Sequence, residues 1–409
     1  MQTQSDIENG GPTSLEGILA PLSLDEFLAG PFGRTPIHVP GAKGRFRHLL
    51  DWDALARLLE CTPLDAPQLA VVKAGKTIPQ ERYFRTQKGI KRLDGGALSL
   101  LLDTGASALI NHIDDLVPAI AQLADDVGDR LGARSAVNLY ATWRTERGFD
   151  AHWDGHDVIV LQLAGRKEWP IYRPIVADPV HNKVLDEVPP ASELEQVHTL
   201  ADGDLLYLPR GWIHAPSPLD EPSLHLTISI TRPTGADFLE WLAAELESDA
   251  RVRAAVPPAT DQAALAQWHE QMSGLVSDAI RGGAIERFLV HQDSERPARP
   301  RFSFPDFGRT PPTQWTPETR LRAASRHRLP VEILANGTAQ VTVAGRAWPC
   351  SGPVAAALLR VTSTRPLAVA SLTASLDEAD SERVRELLGL LAMVGAVETV
   401  QGQSRDEHG

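Results

Sequence analysis

The chain has 409 residues, 43% of them hydrophobic and 23% charged, the balance of a globular protein long enough for two or three domains. Its formal net charge of −13 argues against nucleic acid as a partner, because neutralising phosphates needs clustered Lys and Arg. No apolar stretch approaches the roughly 20 residues a bilayer demands, and the polar start lacks a secretory pattern, so a cytoplasmic protein without membrane contact is expected. Cys61 and Cys350 are far apart and fit no metal-ligand spacing; they are read as packing residues in a reducing compartment.

Residues 1–22 read as a mobile start. Ser23 is then a natural N-cap with Glu26 three positions on, and Leu50 to Leu59 repeats the helical rhythm. Between them Pro36 to Pro40 is extended. Gly105 to His112 predicts a buried strand, followed by an amphipathic helix over Asp115 to Leu131 (Leu116, Ile120, Leu123, Val127) that Gly132 stops. From Ala136 to Thr231 the rhythm changes to short β segments: Val137 to Ala141, Val158 to Leu163, Leu205 to Leu208 and Leu224 to Ile230. Lys167 to Tyr172 is expected to return along Val158 to Leu163 as a hairpin turning at Gly165–Arg166. Residues 23–233 are therefore read as one β-rich domain and 234–291 as a helical module. A Pro/Arg-rich linker (292–319) leads to a winged-helix-like unit (320–409), with strands at Val331–Ile333 and Gln340–Val343. Its helices are expected at Pro353–Leu359, Leu367–Leu376 and Ser381–Met393, before a final extended piece at Ala396–Val400. The fold class is α+β.

The chemistry concentrates at His152–Trp153–Asp154. In an extended segment residues two apart share a face, so His152 and Asp154 can chelate one ion. His-x-Asp alone recurs by chance, and His112–Ile113–Asp114 and His291–Gln292–Asp293 repeat it here. What separates the copy at His152 is its setting: strands follow it, and His214 lies downstream behind the Pro209–Arg210–Gly211 turn. In a double-stranded β-helix a distant strand can bring that third ligand beside the first two. Two imidazoles and one carboxylate occupying one face of an octahedron suit a non-haem Fe(II) site. The alternative is a pair of hydrogen-bonded histidines in a metal-free barrel. Surface or structural roles are assigned to His156, Asp157, His181 and His198. The polar side of the last strand, His225, Thr227 and Ser229, can line a cavity.

Taken in order, Asn138–Leu139–Tyr140–Ala141–Thr142, His152–Trp153–Asp154, the Val160 to Lys167 run with Trp169 and Tyr172, Leu208 to His214, and Leu224 to Ser229 resemble the JmjC-type ribosomal oxygenases. These are cupin-fold protein hydroxylases dependent on Fe(II) and 2-oxoglutarate. The resemblance extends over nearly the whole chain. It implies a cupin/JmjC jelly roll as catalytic domain, a helical dimerisation module forming a homodimer, and a C-terminal winged-helix domain. It makes His152, Asp154 and His214 the iron ligands and Lys167 the partner of the cosubstrate's far carboxylate. Tyr140, Ser229 and Asn138 match positions that help hold the cosubstrate. A separate physical argument favours Lys167, since a dianion in a low-dielectric cavity needs an opposing charge.

The implied substrate is a side chain of a protein, a ribosomal protein first. Arg144, Glu146 and Arg147 lie on the segment approaching His152. Arg144 near the pocket would repel a cationic substrate and favour an acidic or neutral one, unless it is only a solvent-facing loop charge. A hydroxylase of ribosomally made precursor peptides is a second reading. A third, of another class, is a cupin ligand sensor with a DNA-binding winged helix, to which Arg360, Arg365, Arg383 and Arg385 contribute charge that Asp377, Glu378, Asp380 and Glu382 dilute.

Overall fold

The structure, a computed structural model, describes residues 11–144, 150–185, 187, 189–190, 193–294, 315–323, 329, 331–333, 338–343, 346–362 and 366–400. It divides into two compact units that meet in sequence between Arg232 and Pro233.

The first unit opens on helices. Leu24–Ala29 starts at a capping box in which Ser23 and Glu26 satisfy each other's backbone N–H groups, as the spacing predicts. Trp52–Cys61 is capped by Asp51. The strands in chain order are β1 (Ile37–Val39), β2 (Leu69–Lys73), β3 (Lys76–Thr77), β4 (Phe84–Gln87), β5 (Ile90–Leu93) and β6 (Ser107–Ile110). Next come β7 (Arg134–Thr142), β8 (His152–Trp153), β9 (Asp157–Ala164), β10 (Lys167–Tyr172) and β11 (Lys183–Val184). The series ends with β12 (Leu194–Leu200), β13 (Leu205–Leu208), β14 (Ile213–His214), β15 (Ser217–Pro218) and β16 (Ser223–Thr231).

Two sheets carry the unit. One has the order β1-β13-β9-β16-β7-β6-β2-β3, the other β11-β8-β14-β10-β12 with β15 added beside β10. Alternation explains their two faces. Along β16, Leu224, Leu226, Ile228 and Ile230 are buried in a core shared with Ile120, Leu123 and Val127 of the helix Pro118–Leu131. That helix ends at Gly132, whose φ of +59° is the left-handed cap expected there. The other face turns inward: Val158, Val160, Leu206 and Leu208 of the large sheet pack with Trp169, Ile171 and Leu200 of the small one.

β9 and β10 do not form the expected hairpin. β9 pairs with β13 and β16, whereas β10 pairs with β12, β14 and β15. At Gly165 (φ +66°) the chain crosses from one sheet to the other, and a Cβ there would overlap the Pro222 carbonyl oxygen. A glycine turn between two apolar runs is the same signal for either connection. Cys61 also departs from expectation, since it is exposed at the end of its helix; Cys350 is half-buried against the C-terminal core.

In the second unit, helices cover Gly235–Leu246, Ala250–Arg253, Gln262–Arg281 and Ala284–Ser294, the last running past the expected boundary at 291. Phe238, Trp241 and Phe288 form an aromatic cluster. Helix Gln262–Arg281 has no fully buried residue. A half-buried stripe of Leu265, Trp268, Met272, Leu275 and Ala279 runs along it at helical spacing. Most of the expected linker, 295–314, lies outside the described residues.

Beyond it, strands Arg320–Ala323, Leu367–Ala368 and Val397–Val400 form one sheet. Val331–Ile333, Ala339–Val343 and Arg346–Cys350 form another. With helices Gly352–Leu359, Val369–Thr373 and Glu378–Met393 they enclose a core of Leu321, Val341, Leu358, Leu372, Val384 and Leu388. Among the described residues no helix is long and apolar enough to cross a membrane.

Candidate metal centre

His152 and His214 meet because β8 and β14 pair at these two residues, with Ile171 of β10 on the far side of His214. Asp154 follows directly after β8. The Pro209–Arg210–Gly211 turn is tied to this strand segment: Gly211 N–H donates to the Asp154 carbonyl at 2.9 Å, and Arg210 N–H to the Asp157 carboxylate at 2.9 Å. Buried Asp157 also accepts from the Tyr207 hydroxyl and the Arg232 guanidinium, each at 3.1 Å. Asp157, read from sequence as a surface or structural residue, is thus buried and holds the turn that carries the chain to His214.

The orientation of both imidazoles follows from their backbone partners. His152 Nδ1 lies 2.9 Å from the Asp150 carbonyl and His214 Nδ1 3.0 Å from that of Trp212. A carbonyl only accepts, so Nδ1 carries the proton and Nε2 keeps its lone pair. His214 Nε2 is 3.7 Å from an Asp154 carboxylate oxygen, and the two rings are 4.3 Å apart. One donor atom from each of His152, Asp154 and His214 lies within 4.8 Å of the others, and among the described residues no other His, Cys or acidic group assembles this way. Burial, with His152 next in effect, pushes His214 down to about 4 and keeps it neutral, the form that ligates. The donors fit a divalent first-row ion with positions left open.

The inner face supplies the remaining residues. Strand register sets His225 opposite Tyr140, Thr227 opposite Asn138 and Ser229 opposite Ala136, so Tyr140, Asn138 and Ser229 share one face. The Tyr140 hydroxyl, hydrogen-bonded to the Asn138 side chain, is pushed up to about 12 by burial and by the Asp154 charge. Asn138 Oδ1 also accepts from His112 N–H at 3.1 Å, and the Ser229 hydroxyl donates to the Ala136 carbonyl at 3.1 Å. Lys167 is 5% exposed. Burial alone depresses its ammonium to about 7, and no carboxylate among the described residues pairs with it. A buried ammonium without a counter-ion fits an anionic group brought in by a ligand.

Other expected residues go elsewhere. Arg144 is half-exposed and bound to the Asp103 carboxylate at 2.7 Å; Glu146 and Arg147 lie outside the described residues. Asp114, in the first rival His-x-Asp, is buried and accepts the Val137 N–H. His291, in the second, lies 6.2 Å from the Trp241 ring in the other unit. Sequence reading left His225 as one polar residue among several. In the fold it is buried between Tyr140 and Trp169.

The JmjC domain family matches residues 108–238, the segment that holds His152, Asp154, His214, Lys167, Tyr140, Asn138 and Ser229. The chain is 28% identical over 224 residues to a bifunctional lysine-specific demethylase and histidyl-hydroxylase NO66 of Dictyostelium discoideum, covering 53% of this chain and 42% of that protein. It is 30% identical over 315 residues to ribosomal oxygenase 1 of Rattus norvegicus, covering 72% of this chain and 48% of the relative. The chain thus spans less than half the length of these relatives. Among solved structures, the fold matches the ribosomal oxygenase YcfD of Escherichia coli with a TM-score of 0.57 at 16% identity, over 93% of this chain and 98% of that one. A structure of YcfD in complex with cobalt and 2-oxoglutarate matches with a TM-score of 0.55 at 16% identity, over 93% and 99%. The chain thus carries a JmjC domain over residues 108–238 in a JmjC/cupin-type fold, and the His152–Asp154–His214 cluster lies within that domain.

Proposed function

We propose that this protein is an Fe(II)- and 2-oxoglutarate-dependent oxygenase that hydroxylates an amino-acid side chain of a protein, with a ribosomal protein as substrate. The observation that carries this reading is the convergence of His152, Asp154 and His214 on one side of a barrel whose interior buries an unneutralised Lys167. The three ligands would hold iron and leave positions for the keto acid and dioxygen. Once bound, iron and 2-oxoglutarate supply the oxidising chemistry that places a hydroxyl on a C–H bond.

The protein's own contribution is binding and orientation. Carbonyls of Asp150 and Trp212 keep the two imidazoles in the ligating tautomer. Lys167 would neutralise the far carboxylate, while Tyr140 and Ser229, with Asn138 behind Tyr140, would define the walls of the cosubstrate's place. Beside β8 a groove of about 460 Å³ is lined by apolar Trp153, Val176, Pro179 and Val180 and by polar Asp178, His181, Asn182 and Lys183. Exposed Val176 and Val180 give it an apolar surface suited to a polypeptide substrate. Arg144 would meet such a substrate only after releasing Asp103.

We further read the Leu265 to Ala279 stripe as a homodimer surface and residues 320–409 as a winged-helix-like domain. The deciding experiment supplies purified protein with Fe(II), ascorbate, 2-oxoglutarate and ribosomal proteins. Succinate formation coupled to the added mass of one oxygen on a single ribosomal protein is expected. Turnover on precursor peptides alone would favour the peptide-tailoring reading, and absence of turnover on both would sink the oxygenase assignment.

A further inference from the structure

His225 is 2% exposed, and its Nδ1 has no hydrogen-bond partner among the described residues. Leaving such an atom unpaired in a core is costly and rare, which marks the position. The ring is held on two sides: it stacks on Tyr140 at 4.9 Å with an interplanar angle of 2°, and Trp169 meets it edge-on at 5.6 Å. Its inward neighbours are polar and under-satisfied too. Gln162, opposite His225 in the register, donates to the Ala164 carbonyl and the Ser223 hydroxyl, which leaves Oε1 without a partner. Trp169 Nε1 and Thr142 Oγ1 are likewise unpartnered.

Burial, with the Lys167 ammonium second in effect, keeps His225 neutral. A neutral imidazole next to an ammonium offers an N–H donor without a second positive charge. One carboxylate could satisfy both groups at once, since it accepts several hydrogen bonds while cancelling the lysine charge.

We propose that His225 is a positioning residue for the far carboxylate of the dicarboxylate cosubstrate, donating a ring N–H to the carboxylate that Lys167 neutralises. This inference rests on the 2-oxoglutarate reading above. It adds a residue that the ligand triad and Lys167 do not require, and assigns the Tyr140 and Trp169 rings the task of fixing its plane.

The test is calorimetric titration of Co(II)-loaded protein with 2-oxoglutarate and with 2-oxopentanoate, which keeps the chelating end and chain length but carries a methyl in place of the far carboxylate. In His225→Phe, which retains the stack on Tyr140 and removes the N–H, 2-oxoglutarate should bind about 10-fold more weakly or worse. Affinity for 2-oxopentanoate and Co(II) stoichiometry should stay as in the wild type. His225→Leu should behave the same and decides the matter if the Phe variant does not fold. His225→Asn, which restores an N–H donor, should recover part of the preference. Equal loss for both keto acids, or no loss for either, overturns the inference while leaving the metal reading intact. A wild-type protein that binds neither keto acid with Co(II) present overturns both.

Discussion

His152, Asp154 and His214 become a site because each has its freedom removed by a neighbour: a carbonyl behind each imidazole and a turn amide on the Asp154 backbone. Replacing His152 or His214 by Ala should lower Co(II) or Fe(II) affinity by more than the roughly 10- to 100-fold that loss of a ligand's hydrogen-bond partner costs, as read by metal analysis after desalting. Lys167 makes a second, pH-dependent prediction. Its folded pKa, about 7, lies below that of a free lysine, so the protein without cosubstrate gains stability as pH rises from 7 toward the free-lysine range. Below 7 the charge is kept at a cost. A carboxylate beside the ammonium raises that pKa again, so cosubstrate binding near pH 8 should take up a proton. Calorimetry in two buffers of different ionisation heat should detect the uptake in the wild type and not in Lys167→Met, where affinity for 2-oxoglutarate falls by roughly 10- to 100-fold. The pairing of His152 with Asp154 was legible in sequence, because residues two apart on an extended segment share a face, whereas Lys167 was singled out mainly by the family resemblance. His225 was not: nothing in Leu224–His225–Leu226 tells a cavity histidine from a solvated one until Tyr140 and Trp169 enclose it.

Among elements, the crossing at Gly165 decides the most. It sends β10 to the second sheet and so brings Trp169 against Val158 and Val160 of β9 and His225 of β16, with Lys167 buried two residues before it. A hairpin would have left them in the same sheet as Val160. Gly165→Ala must place a Cβ against the Pro222 carbonyl at a φ of +66°, and should destabilise the protein by about 2–4 kcal/mol in denaturant unfolding. The same substitution at Gly44, which also has positive φ but open space around it, should cost only about 1 kcal/mol. Helix starts are local chemistry, and Ser23–Glu26 was readable for that reason. Strand partners are not local, and the β9–β10 expectation failed there.

For the whole molecule, assembly falls on the Gln262–Arg281 helix, whose apolar stripe is only half covered by the described residues. If a second copy covers it, Leu275→Asp should halve the mass measured by light scattering while leaving metal content unchanged, since His152, Asp154 and His214 all lie in the other unit. An unchanged mass in wild type and variant would assign the stripe to something other than self-association.

The sequence by itself determined which residues could bind a metal, which segments alternate as strands, and that a family pattern runs from Asn138 to Ser229. Those properties are encoded in residue type and short-range periodicity. Only the tertiary structure decided how close His214 comes to His152 and Asp154, which sheet receives Lys167, and that His225 is enclosed by Tyr140 and Trp169. A period of two tells a side chain which face it occupies but not what stands opposite, and the site is made by what stands opposite.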